Sequence, residues 1–260
     1  MRFLSFLFVL PVLAHTLYFL PAKFRLDRGE KLVFSVHEGD GFPDSESAAA
    51  PERLLEARLV KGEVTTPIAD FLKLGQATHG VVKVEQAGTQ WLAVRTRSNL
   101  VEMTPDAFER HLREEGLQHV IDWRRNNGES SRKGQETYTK YAKSLVTCEA
   151  EDEGWKQELG LALEFVPEVN PGRLTAEHKL PVRLLWRGKP AGGIRVEKAW
   201  TAGGKSDAEV AGWTDGEGRI DVAVDRAGRW RLHAVAMERA PAGSGADWES
   251  YWATLTFEVR

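Results

Sequence analysis

The chain has 260 residues, 42% of them hydrophobic and 28% charged, with a formal net charge of −3. This is an ordinary globular mixture, long enough for two modest cores. Charges of both signs are scattered along it, which leaves no basic footprint for nucleic acid or anionic lipid. Cys148 is the single cysteine, so an internal disulfide is excluded and stability has to come from packing.

Arg2 is the only charge before an apolar run from Phe3 to Leu13, and Val12-Leu13-Ala14 places small or modest residues where a signal peptidase reads. A membrane-spanning helix needs about 20 apolar residues, and this run is stopped by Pro11 and then His15. The pattern predicts a secretory leader over residues 1–14, cleaved after Ala14, with an uncleaved anchor or a later cut as the alternatives. The mature chain then begins at His15 in the periplasm or outside the cell and is not an integral membrane protein. A lipid anchor would need cysteine where His15 stands.

From Leu17 to Arg97 the pattern is β. Leu32, Phe34 and Val36 alternate with Val33, Ser35 and His37 between the turns Asp27-Arg28-Gly29 and Gly39-Asp40-Gly41. Further strands are predicted at Leu55–Val60, Val81–Val84 and Trp91–Thr96, the last two joined as a hairpin through Ala87-Gly88-Thr89. Residues 42–51, rich in Pro, Ser and Ala, are read as an exposed loop. Together these predict a β-sandwich over residues 15–103.

At Thr104 the period changes. Thr104 suits an N-cap, Pro105 the first helical position, and Asp106 the positive end of the helix dipole. Phe108, Leu112, Leu117, Val120, Ile121 and Trp123 then recur at helical spacing, broken at Gly116 and ended by Asn126-Asn127-Gly128. Tyr138, Tyr141, Ala142 and Leu145 predict a further amphipathic helix leading to Cys148, so residues 104–148 are read as a helical segment between two domains.

Residues 149–260 are read as a second antiparallel sandwich. Leu180, Val182, Leu184 and Trp186 alternate with Pro181, Arg183, Leu185 and Arg187, Gly188-Lys189-Pro190 turns the chain into Ile194, Val196 and Lys198, and Thr214-Asp215-Gly216-Glu217-Gly218 signals a hairpin feeding Ile220–Val224. Strands at Trp230-Leu232 and Trp252–Val259 complete it. The fold class is mainly β, two antiparallel β-sandwich domains of immunoglobulin-like or transthyretin-like type.

The run Pro181–Pro190, followed by Thr214–Arg219 and Ala227–Trp230, resembles the transthyretin-like and carboxypeptidase-regulatory-like modules of bacterial exported proteins, small sandwiches that are usually not catalytic. His15, the Gly39–Pro43 loop, Glu115-Gly116-Leu117, Tyr141–Leu145 and Ala246–Phe257 together resemble an exported domain-of-unknown-function family, linked in places to nickel uptake and metal transport. That resemblance implies fold and envelope location, and a metal ion or a transport component of the envelope as partner; it supplies no ligand set.

Cleavage would give His15 a free amine and an imidazole on one residue, a bidentate chelate for Cu(II) or Ni(II). His37, ending a strand expected to pair with the first, is the candidate second imidazole, beside Glu38 and Asp40. His233, expected to face away from Leu232 and Ala234, is a weaker third. Trp248, Tyr251 and Trp252 beside a glycine-rich loop offer the alternative, an envelope protein- or glycan-interaction surface without metal, against core packing of the last strand. No nucleophile elbow, zinc-protease pair or phosphate loop is present, so a binding protein is expected rather than an enzyme. A copper enzyme built on an N-terminal histidine is the remote alternative.

Overall fold

The computed structural model describes residues 15–260, and the expected leader over residues 1–14 lies outside the described residues. The first half contains β1 (Leu17–Pro21), β2 (Arg25–Leu26), β3 (Lys31–Glu38), β4 (Leu54–Lys61), β5 (Val64–Pro67), β6 (Phe71–Leu74), β7 (Ala77–Lys83), β8 (Gly88–Thr96) and β9 (Asn99–Met103). Two helices follow, α1 (Pro105–Glu114) and α2 (Gln118–Asn126). The second half contains β10 (Gly134–Cys148), β11 (Leu163–Pro167), β12 (His178–Trp186), β13 (Lys189–Pro190), β14 (Arg195–Thr201), β15 (Glu209–Trp213), β16 (Arg219–Val224), β17 (Gly228–Arg239) and β18 (Trp248–Val259).

The helix signals act as read. Thr104 Oγ1 accepts from the Ala107 amide, Pro105 opens α1, and Gly116 at φ +71 allows the turn into α2. The helix expected at Tyr138–Leu145 is instead part of β10, a 15-residue strand about 50 Å long. Its β-branched and aromatic residues, Thr137, Tyr138, Thr139, Tyr141, Val146 and Thr147, suit a pleated surface. Burial on both faces hides the alternation that would have shown it.

β10 lies at the centre of a sheet ordered β15-β14-β17-β18-β10-β8-β4-β5, with β2 and β9 also paired to it. It runs parallel to β18 from Glu136 opposite Trp248 to Ser144 opposite Thr256, and antiparallel to β8 and β9 along its other edge. Two smaller sheets flank this one: β1-β3-β7-β6, and β11-β12-β13 with β16 also on β12.

Alternation along the strands assigns the layers. Ala142, Val146 and Cys148 of β10 pack with Phe19, Leu32, Phe34 and Val36 of the first small sheet. Leu145 points the opposite way, into a core with Phe165, Leu180, Val182 and Leu184, which also takes Leu255 and Phe257 of β18. The helices cover the rest of the first face, packing Phe108, Leu112 and Ile121 on Tyr138, Val235, Trp248 and Trp252. Gly134 sits directly beneath the Phe108 ring, where a Cβ would come within 2.2 Å. The result is three layers sharing one central sheet, and β10, inside the segment read as helical, is where the two halves meet.

Two expected hairpins are connections between layers. β7 pairs with β3 and β6, whereas β8 pairs with β4 and β10, because the chain crosses at Gly88-Thr89, where the Thr89 amide donates to Asp152 Oδ1 at 3.0 Å. Likewise Thr214–Gly218 turns tightly, with Asp215 Oδ1 accepting from the Glu217 and Arg219 amides, but carries the chain from β15 on β14 to β16 on β12. Turn chemistry marks the bend and leaves the partner strand open.

Candidate metal centre

β1 and β3 are antiparallel, with Tyr18 opposite His37 and Leu17 opposite Glu38. The ladder continues through the Gly39 amide, which donates to the Thr16 carbonyl at 3.1 Å, so His15 arrives beside Asp40. By alternation His15 has the parity of Leu17, while His37 has that of Tyr18. The pairing of these two strands therefore separates the two imidazoles that the sequence suggested as partners.

What meets His15 is a pair of carboxylates. His15 Nδ1 lies 3.3 Å from Asp40 Oδ2 and 3.6 Å from Glu46 Oε2, and the three donor atoms fall within 4.8 Å of one another. Each acid uses its other oxygen on the backbone: Asp40 Oδ1 accepts from the Thr16 amide at 3.4 Å, and Glu46 Oε1 from the Asp40 amide at 3.1 Å. One oxygen of each is thereby aimed at the imidazole. Ligands bound at about 2 Å to one ion stand roughly 3–4 Å apart, and His15 Nδ1 stands at that separation from each acid oxygen.

Buried cations hold this loop from below. Lys140, 3% exposed, donates to the His15 carbonyl at 2.5 Å and to Glu38 Oε1 at 2.9 Å. Arg231, 1% exposed, donates to the carbonyls of Gly39 and Asp40 at 3.3 and 3.0 Å, with its guanidinium against the Tyr18 and Phe42 rings. The Tyr18 hydroxyl donates to the Gly41 and Asp44 carbonyls, and burial pushes its ionisation upward. Phe42, fully buried, exchanges backbone hydrogen bonds with Ser206. Removing either buried cation would strand carbonyl or carboxylate oxygens, at a cost of about 1–3 kcal/mol for each unsatisfied group.

His37 has other partners. Its Nε2 lies 2.6 Å from Ser35 Oγ, and its ring stacks on Tyr18 at 5.1 Å. Burial, with a smaller push from His79, lowers its pKa to about 4, so the ring is neutral at physiological pH. It faces an open cleft of about 620 Å³ also lined by Asp44, Glu46, Gln76 and Lys205. His233 does face away from Leu232 and Ala234, but that face is covered by the helices. It is 3% exposed, 3.3 Å from Glu115 Oε2 and against the Trp252 ring.

Trp248 and Trp252 are each 2% exposed and belong to the helix-covered core, so they present no surface to a partner. Trp248 meets Trp123 edge-on, and Trp252 lies between the His111 and His233 rings. Strand alternation turns Tyr251 to the opposite face, half-buried, where it accepts from Arg187 and donates to Glu249. Glu46, Lys140 and Arg231 were not singled out from the sequence, since each sits far from His15 along the chain. The one available signal was register: pairing Tyr18 with His37 brings Asp40 opposite His15.

Among the described residues no helix is long and apolar enough to cross a membrane. No curated protein matches the sequence. Among solved structures the chain is similar to the D0-D1 domain of intimin, with 12% identity, 92% of this chain and 96% of that one covered, and a TM-score of 0.21. It is also similar to the Escherichia coli adhesin FdeC, at 11% identity and a TM-score of 0.26, covering 95% of this chain and 65% of that one. A tetra-tandem repeat of a large adhesion protein matches at 11% identity and a TM-score of 0.25, with 95% of this chain and 49% of that one covered. The chain thus spans a little under two thirds of the second and about half of the third. A family model described as "Domain of unknown function (DUF4198)" matches residues 12–238, most of the sequence, and the chain belongs to that family.

Proposed function

We propose that this is an exported metal-binding protein of the cell envelope. It holds a divalent first-row ion, Ni(II) or Cu(II), between the His15 imidazole, Asp40 and Glu46. Once the leader is removed after Ala14, the His15 amine supplies a fourth donor. A mixed nitrogen and oxygen set suits these ions. The observation that carries the reading is the convergence of one free oxygen from each acid on His15 Nδ1, at 3.3 and 3.6 Å. The role is binding or delivery rather than catalysis.

A protonated imidazole between two carboxylates would adopt the same spacing, and titration separates the two readings. Calorimetry of the mature protein with Cu(II) and Ni(II) is expected to give one site, weakened at least tenfold, about 1.4 kcal/mol, in Asp40→Asn and in Glu46→Gln. One extra residue placed before His15 removes the amine chelate and is expected to weaken Cu(II) similarly. Equal affinity across wild type and both acid variants sinks the site. A native N-terminus other than His15, read by mass spectrometry, removes the amine from it.

A further inference from the structure

The first small sheet does not cover its face of the central sheet to the end. β1 lies across β18, where Thr254 Oγ1 donates to the Leu17 carbonyl, and Arg231 of β17 is closed over by the backbone of Gly39 and Asp40. Two positions further along β17, Arg229 stands opposite Glu258 of β18. Their neighbours Trp230 and Phe257 point into the other core, so alternation turns these two charges to the uncovered end. A cleft of about 430 Å³ opens there, lined by Arg229, Glu258, Pro43, Ala202, Gly203 and Ala227 among others.

Its walls are pinned. Phe42 and Ser206 exchange backbone hydrogen bonds at 3.0 and 2.7 Å, which ties the loop carrying Pro43 to the loop carrying Ala202 and Gly203. Trp200 Nε1 donates to the Ala227 carbonyl at 2.9 Å and fixes the turn before β17. Opposite charges facing each other across two strands ordinarily attract one another. Here Arg229 turns aside and donates through one nitrogen to the Ala22 carbonyl at 3.4 Å, while the Glu258 carboxylate has no hydrogen bond or ion pair among the described residues. Both residues are half-buried.

We propose that this cleft binds a free α-amino acid with an uncharged side chain. The Arg229 guanidinium keeps most of its N–H donors free, enough for a forked grip on a carboxylate, and the Glu258 oxygens are free to accept from an ammonium. An anion alone would face Glu258 and a cation alone would face Arg229, whereas a ligand carrying both charges a few bonds apart satisfies both. The rest of the lining carries no further charge and is small, with Pro43, Ala202, Gly203 and Ala227, so it leaves room for a ligand side chain and offers no partner to a charge on it. The volume falls within the roughly 300–1,000 Å³ of small-ligand sites. The metal centre has no part in this recognition.

The experiment is calorimetric titration of the full chain, stripped of metal because amino acids themselves chelate, with glycine, alanine, serine, glutamine and leucine. Saturable binding of at least one, with Kd on the order of 0.1 mM, is expected. The N-acetyl form of that amino acid, which loses the ammonium, and its methyl ester, which loses the carboxylate, are each expected to bind at least about tenfold more weakly, as are Arg229→Gln and Glu258→Gln with the free amino acid. Thermal unfolding checks that both variants are folded, and the two blocked ligands test the same contacts on the unaltered protein. No saturable binding of the five amino acids up to about 10 mM, equal affinity for the blocked forms, or equal affinity in both folded variants overturns the proposal.

Discussion

Lys140 and Lys143 lie three positions apart on β10 and, because side chains alternate, enter opposite layers. Lys143 meets Glu164 at 2.7 Å over the Trp91 ring, and the same carboxylate accepts from the Leu159 and Leu161 amides. Both side chains are 2% exposed or less, and burial pushes the ammonium below its ordinary value while Glu164 pulls it back. Lys140 meets Glu38 at 2.9 Å, but its second bond is to the His15 carbonyl, at the rim, and the Glu38 side chain keeps 11% exposure. The Lys143 pair is closed on itself, whereas the Lys140 pair ends on the backbone of the proposed ligand. Two similar contacts thus differ in consequence according to what the spare donor reaches.

The largest expected effect comes from breaking the closed pair. Lys143→Met leaves Glu164 charged and enclosed, and urea denaturation is expected to show a loss of about 3–5 kcal/mol with no change in metal affinity per folded molecule. Adding Glu164→Leu is expected to restore only part of it: well-packed apolar pairs often match buried ion pairs, but the Leu159 and Leu161 amides lose their acceptor. Lys140→Met is expected to cost less, about 1–3 kcal/mol, because Glu38 can draw water. It should also weaken Cu(II) or Ni(II) binding several-fold, by releasing the His15 carbonyl. If Lys143→Met and Lys140→Met change metal affinity equally, the distinction between the pairs fails.

A third pair on the Lys140 side has a cation that can be switched off. His111 Nε2 and Glu136 Oε2 are 3.1 Å apart under α1, poorly aligned for a hydrogen bond and almost wholly buried. Burial opposes the imidazolium, but Glu136, with Glu115 and Glu114, outweighs it, and the His111 pKa stands above the ordinary 6.5. A raised folded value means the pair stabilises fully below about 6.5 and that this contribution is lost as pH rises through the folded value. Thermal or urea unfolding from pH 6 to 9 is expected to show a decline of about 1 kcal/mol, the scale of a modest hydrogen bond, flattened in His111→Gln.

Much of the β reading was legible because half-buried strands alternate: Leu32, Phe34 and Val36 lie inward in β3, and Leu180, Val182 and Leu184 in β12. β10 was not, because layers on both of its faces put apolar residues at Tyr138, Tyr141, Ala142 and Leu145 irrespective of parity, a spacing that also fits a helix. Lys140 and Lys143 look like a solvated helix face until their partners, 102 positions before and 21 after, are placed. The site was legible in one residue. His15 stood out by its place after the leader pattern, but the partner choice needed register, which sets Tyr18 against His37 and leaves Asp40 for His15.

The parallel seam between β10 and β18 bears on how the chain would reach this state under the export proposed above. Ser144 Oγ donates to the Thr256 carbonyl across 112 positions, so the middle strand waits on the last strand described. Loop closure over such a span slows assembly relative to local contacts. A translocating chain emerging from its amino end would carry β10 with one long edge and a Lys140 face incompletely covered, a sticky intermediate. On that proposal, release of the whole polypeptide, rather than stepwise completion of one half and then the other, would set the moment at which the central sheet can close.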